Sequence, residues 1–197
     1  MKGCYSSREK NLYYAILEID RMASSLGLPN DLRVAASMLF RKVMSKGLIK
    51  GRSIEELVSA MLYIVCSQYG VPRTLKEIAE VSRSPLKKIG RAYIFLLRKL
   101  DIKLAPADPS LFIPRFCSKL GLDGEVREKA IEIIKEAQEK ELTEGRGPIG
   151  IAAAAIYIAA VLCGRHCSEE KISDVTGVTE IIILNRTNEL KDELNIK

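Results

Sequence analysis

The sequence predicts an all-α fold made of two tandem copies of one five-helix unit, each ending in a helix-turn-helix-like pair. Three observations carry this. Along the 197-residue chain apolar residues recur at three- and four-residue spacing, and no stretch sustains the alternation of a half-buried strand. The chain also repeats itself at an offset of 94: Leu26-Gly27-Leu28 returns as Leu120-Gly121-Leu122, Gly51-Arg52 as Gly145-Arg146, and Tyr63-Ile64 as Tyr157-Ile158. Arg33, Ala36, Leu48 and Ala60 map in the same way to Arg127, Ala130, Leu142 and Ala154, without a gap. Finally, Pro106 and Pro109 interrupt helix near the midpoint, where residues 103–109 join the copies. Domain limits of 1–103 and 104–197 follow.

The elements can be justified in order. Residues 11–26 form the first helix, with Leu12, Ile16, Ile19 and Met22 on one stripe, and Gly27 with Pro29 ends it. Its counterpart begins near Pro109. The second helix spans 31–45, matched by 125–140, and a short loop containing Gly-Arg follows each. Ser53 and Glu56 fit a capping box at the third helix, whereas Gly147 and Pro148 take the N-cap and first-turn positions in the second copy. Small residues at Ala60 and through Ala152 to Ala155 permit close approach, which makes the third helix of each copy the central one.

A short helix, a tight turn and a longer helix close each copy. In the second copy Ser168 caps a helix reaching Val175, Gly177 supplies the left-handed residue of the turn, and Thr179 caps a helix running to about Leu194. The first copy has the matching segment 74–100, with Thr74 and Glu77 as a capping box.

Charge separates the copies more than pattern does. The chain carries +6 overall, but residues 1–100 hold 18 Lys or Arg against 8 Asp or Glu, for +10, and residues 101–197 hold 13 against 17, for −4. Arg83, Lys87, Lys88, Arg91, Arg98 and Lys99 crowd the last helix of the first copy and its approach. Cations so placed suit phosphate, releasing condensed counterions and dominating affinity while carrying little sequence information.

Other function classes are disfavoured. His166 is the single histidine, no Gly-rich phosphate loop occurs, and the adjacent pairs Glu55-Glu56 and Glu169-Glu170 suit caps and surface better than an acid–base couple, so no enzyme and no cofactor are expected. Cys163, His166 and Cys167 lie within five residues of one another, with no second cluster to close a zinc shell, so no metal is expected. Five cysteines, an odd number set mostly in apolar helical segments, suggest reduced thiols. The longest apolar run, 149–163, is shorter than the roughly 20 residues that span a bilayer and holds six alanines, so no membrane partner is expected. Lys2, Arg8, Glu9 and Lys10 precede no secretory apolar segment, which points to an intracellular, nucleoid-associated place in the cytoplasm.

Several segments together resemble a known family. KGLIKGRS (46–53), VPRTLKEIAEVSR (71–83) and KKIGRAY (87–93) look like the first cyclin-like repeat of archaeal transcription factor B. PRFCSKLGL (114–122), GIAAAAIYIAA (150–160) and VTE followed by NR (178–180 and 185–186) look like the second. The resemblance implies two cyclin-like five-helix folds that bind TATA-binding protein seated on double-stranded promoter DNA, in assembly of the preinitiation complex. It places Lys50, Gly51 and Arg52 against DNA downstream of TATA, and Lys87 and Arg91 on a cationic surface that neighbouring Lys88 extends. Arg146 repeats Arg52. Thr179, Glu180, Ile181, Ile182, Asn185 and Arg186 fall on the helix that reads the upstream element in the major groove.

In that helix the chain departs from the family pattern. Leu184 stands where an arginine is usual, Ile182 for a threonine, Thr187 for a tyrosine and Asn188 for a lysine; Ser67 likewise replaces an arginine in the first copy. Weak or altered upstream reading follows. No Cys-x-x-Cys pair occurs, so the family's zinc ribbon and polymerase-reaching linker are expected to be missing, and RNA polymerase to be a partner only where a full-length protein supplies them. The competing expectation is a cyclin-fold protein-interaction adaptor that has lost sequence-specific DNA contact.

Overall fold

A computed structural model describes residues 6–196. Among these there are ten α-helices and no strand, divided between two compact units, Met1–Ala105 and Pro106–Lys197. The division falls two residues beyond the expected limit because Ile102 and Leu104 pack against the first core and Ala107 against the second.

The first unit contains α1 (Ser7–Ser25), α2 (Asn30–Ser45), α3 (Ile54–Gln68), α4 (Leu75–Val81) and α5 (Leu86–Leu100). Helix α1 begins four residues earlier than the apolar stripe indicates, because Ser6 and Glu9 form a capping box: the Ser6 hydroxyl accepts from the Glu9 amide (3.2 Å) and the Glu9 carboxylate from the Ser6 amide (2.7 Å). Helix α3 is the axis. Leu57, Val58, Ala60, Met61, Leu62, Ile64 and Val65 are buried on all sides of it, and α1, α2 and α5 pack around it.

Of the two capping boxes expected in this unit, one is incomplete. Ser53 accepts from the Glu56 amide (3.5 Å), but the reciprocal half of the box is absent: the Ser53 hydroxyl donates to Glu55 (2.5 Å), and Glu56 reaches Lys88 on α5 (3.4 Å). The Thr74–Glu77 box at α4 is complete.

The second unit opens with a 3-10 turn, Pro109–Phe112, then α6 (Ile113–Leu120), α7 (Gly124–Glu139), α8 (Pro148–Leu162), α9 (Glu169–Thr176) and α10 (Glu180–Leu194). Asp123 caps α7, and Gly147 with Pro148 starts α8. Alanine-rich α8, buried from Gly150 to Ala160 except at Tyr157, is the second axis, with α7 and α10 against it. Cys117 and Cys167 are buried, and burial pushes the Cys117 thiol up to about 11. Cys4 lies outside the described residues. Among those described, no group of three His, Cys, Asp or Glu side chains is placed to hold a metal, and no helix is long and apolar enough to cross a membrane.

Candidate nucleic-acid interface

In the first repeat the loop between α2 and α3 is fixed at both ends. Its start is closed by the Leu48 amide donating to the Val43 carbonyl (3.1 Å), and its end by the Arg52 amide donating to Ile49 (3.2 Å). Gly51 turns the chain in the left-handed region, at φ 73°, where a side chain would be strained. Lys50 and Arg52 are exposed on this loop. The Arg52 guanidinium does not hang free: its central carbon lies 3.5 Å from the centre of the Phe95 ring on α5.

Helix α5 buries Ile89, Ala92, Leu96 and Leu100 on one side. At 3.6 residues per turn, Lys87, Arg91 and Arg98 then fall within about 40° of one another on the opposite side. All three are exposed, with Lys88 and Lys99 flanking them. Phe95 lies about 40° further round the helix than Arg91, half-buried at the edge of this arc, so its stack holds Arg52 beside the helix cations. Lys88 is partly offset by Glu56.

The second repeat places its residues differently. Thr176, at the end of α9, donates to the Ile172 carbonyl (2.7 Å) and accepts from the Val178 amide (3.3 Å), with Gly177 between at φ 76°. This fixes the turn into α10. Thr179 holds the N-cap position without a side-chain cap bond. From the first turns of α10, Glu180 and Asn185 face solvent, as do Ile181 (72% exposed), Ile182 (46%) and Leu184 (41%). Ile182 and Arg186 pass close over Gly150 of α8: a Cβ there would sit 3.5 Å from the Ile182 Cγ2. A shallow pocket of 430 Å³ lies alongside, lined by Pro148, Gly150, Gly177, Thr179, Ile182 and Arg186 among others. Arg146 and Arg186 both pair with one carboxylate, Glu189.

The structure thus brings Arg52, Lys87, Lys88 and Arg91 to one side of the first repeat, with Lys50 two residues from Arg52. In the second it sets Ile181, Ile182 and Asn185 outward and ties Arg146 to Arg186 through Glu189. Phe95 and Glu189 were missed by sequence reasoning. No local sequence signal marks them, because each meets an arginine 43 residues away in the chain.

The adjacent carboxylates have structural partners. Glu55 accepts from Ser53 and, at 3.3 Å, from Tyr14; Glu169 is bonded to Tyr157. In both, hydrogen bonding holds the carboxyl below its ordinary value, the reverse of the raised value a general acid needs.

The fold and this site define a protein of tandem helical repeats with a cationic face on the first. The family model described as "Transcription factor TFIIB repeat" matches residues 8–99 and again 102–193, and the chain belongs to that family. It is 54% identical to "Transcription initiation factor IIB" of Archaeoglobus fulgidus over 98% of its own length and 59% of the relative's. The protein of that name from Methanosarcina mazei is likewise 54% identical, over 98% of this chain and 57% of its own length. This chain therefore spans less than two thirds of these relatives. A chain of the CAK complex of Chaetomium thermophilum bound to ATP-γ-S aligns over 94% of this chain and 62% of its own at 15% identity, with a TM-score of 0.42. The family is one of transcription factors, not enzymes.

Proposed function

We propose that the chain acts as the core of a general transcription initiation factor, binding the complex of TATA-binding protein with promoter DNA and the flanking duplex. The observation that carries this is the gathering of Arg52, Lys87, Arg91 and Arg98 on the solvent side of the first repeat, in a chain whose relatives are named initiation factors. In this reading repeat one grips phosphate, with Lys50 and Lys88 adding charge. The N-terminal turns of α10, from Thr179 to Arg186, face the major groove upstream with reduced base specificity.

Gel shifts of TATA-binding protein on a TATA promoter test this. The chain adds a slower ternary complex, and with about five phosphate contacts the logarithm of its affinity falls against the logarithm of salt with a slope of about −4 to −5. No supershift at low salt removes the proposal. One observation favours a second reading, a protein-interaction adaptor: the three aliphatic side chains exposed at the start of α10. Under that reading, a ternary complex forms on protein contacts alone and is insensitive to salt.

A further inference from the structure

We infer that one helix position, Phe95 in the first repeat and Glu189 in the second, decides whether the arginine of the preceding loop is available to phosphate. The inference rests on the DNA-binding reading above and goes beyond it by assigning a positioning role to two residues outside the cationic set.

The two sites are built alike. The loop glycines Gly51 and Gly145 share the left-handed conformation at φ 73° and 67°, and the arginine that follows each reaches the same position of the last helix of its repeat. What meets it there differs. Phe95 offers a ring face, which attracts a cation through its quadrupole but adds no charge and accepts none of the guanidinium's five N–H donors in a directed bond. Arg52 is therefore held in place with its charge intact and its donor edges open. Glu189 offers a carboxylate, which both accepts N–H donors and cancels charge. It takes Arg146 from the loop and Arg186 from its own helix, so two cations and one anion leave a single net positive charge. Arg146 is further committed to the Leu142 carbonyl (3.2 Å).

A bland account exists for each residue: Phe95 is a half-buried aromatic packed on the core, and Glu189 a surface ion-pair member. The accounts separate on substitution. If Phe95 only fills space, leucine serves; if it positions Arg52, a ring is required. Titration of the full chain onto the TATA-binding protein–promoter complex over a salt series decides. Phe95→Leu lowers affinity about three- to tenfold and makes the salt slope shallower by about 1, whereas Phe95→Tyr keeps both. Arg52→Ala gives the same loss, and adding Phe95→Leu to it costs nothing more. Glu189→Gln releases the second pair, steepening the slope by about 1 and raising affinity. Wild-type affinity and slope in both Phe95→Leu and Glu189→Gln overturn the inference while leaving the function standing. Absence of binding by the wild-type chain at any salt overturns the function and this inference with it. Should Phe95→Leu fail to fold, the Glu189→Gln change, at a half-buried position outside the core, decides by itself.

Discussion

The two repeats share left-handed loop glycines and a central buried helix, yet their solvent sides are chemical opposites. Residues of α5 and α10 related by the 94-residue offset make the contrast explicit: Lys87 corresponds to Ile181, Lys88 to Ile182, Arg91 to Asn185, Arg98 to Asp192 and Lys99 to Glu193. Lys50 in the loop corresponds to Glu144. The buried side is kept as Ile89 to Ile183 and Leu96 to Leu190. The lesson is that the core specifies the unit while the exposed side is free to vary, so one fold carries a cationic side on one copy and a side of aliphatic and acidic residues on the other. Even the anchoring pairs are exchanged. Repeat one joins Arg21 to Glu18 and stacks Arg52 on Phe95; repeat two sets Arg115 near Phe112 and Phe116 and joins Arg146 to Glu189.

The strongest way to break this contrast is to erase one side of it. Replacing Arg52, Lys87 and Arg91 together by alanine lowers affinity for the TATA-binding protein–promoter complex by at least about 50-fold and makes the salt slope shallower by about 3, measured by gel shift. The corresponding triple at Arg146, Ile181 and Asn185 changes the slope by no more than about 1. Equal losses from the two triples contradict the asymmetry.

Restoring a base-reading side chain sharpens the comparison from the other direction. Leu184→Arg places a bidentate donor on the exposed side of α10, worth about 1 to 3 kcal/mol of preference for guanine, read by selection from randomised upstream duplexes. An unchanged preference counts against α10 as the groove-facing helix.

The anchoring pairs predict different acid responses. Glu18 is only 4% exposed and receives two hydrogen bonds from Arg21, which in turn donates to the Val81 carbonyl (2.9 Å) at the end of α4. Those bonds, more than the neighbouring charges of Arg21 and Arg83, hold the Glu18 carboxyl below its ordinary 4.5. A depressed value means the stabilisation is fully present above the ordinary carboxylate range and is lost as pH falls through the folded value. Arg21→Ala destabilises repeat one by about 2 kcal/mol near neutrality, and Glu18→Gln removes this share of its acid sensitivity, both followed by urea unfolding. Repeat two has Phe112 at the matching position and lacks this contribution.

The smallest effect is expected at Thr187, whose buried hydroxyl has no hydrogen-bond partner. Its counterpart Tyr93 meets Tyr63 edge to face at 5.0 Å, a contact threonine cannot make. Thr187→Val removes an unsatisfied polar atom and stabilises repeat two by about 1 kcal/mol in thermal unfolding. A loss of stability would show that the hydroxyl is satisfied in solution.

How much of this was legible in the sequence follows from what periodicity can report. The repeat, the two central helices, the Gly177 turn and the Thr74–Glu77 box were legible, because each depends on residues close in sequence or on burial alone. The start of α1 was missed since its signal is a polar cap, Ser6 with Glu9, lying ahead of the apolar stripe. Phe95 and Glu189 were not legible because their partners are arginines 43 residues away, a separation that no helical period samples. The cation cluster was read as composition, although the spacings of four and seven residues between Lys87, Arg91 and Arg98 already put them on one side of a helix.

Lysine-acetylation footprinting of the chain with TATA-binding protein, with and without a TATA duplex, tests the central claim most directly. Lys50, Lys87 and Lys99 lose reactivity only when the duplex is present, while Lys171 and Lys191 of the second repeat keep theirs. Equal reactivity of Lys50, Lys87 and Lys99 with and without DNA would contradict a phosphate-gripping first repeat.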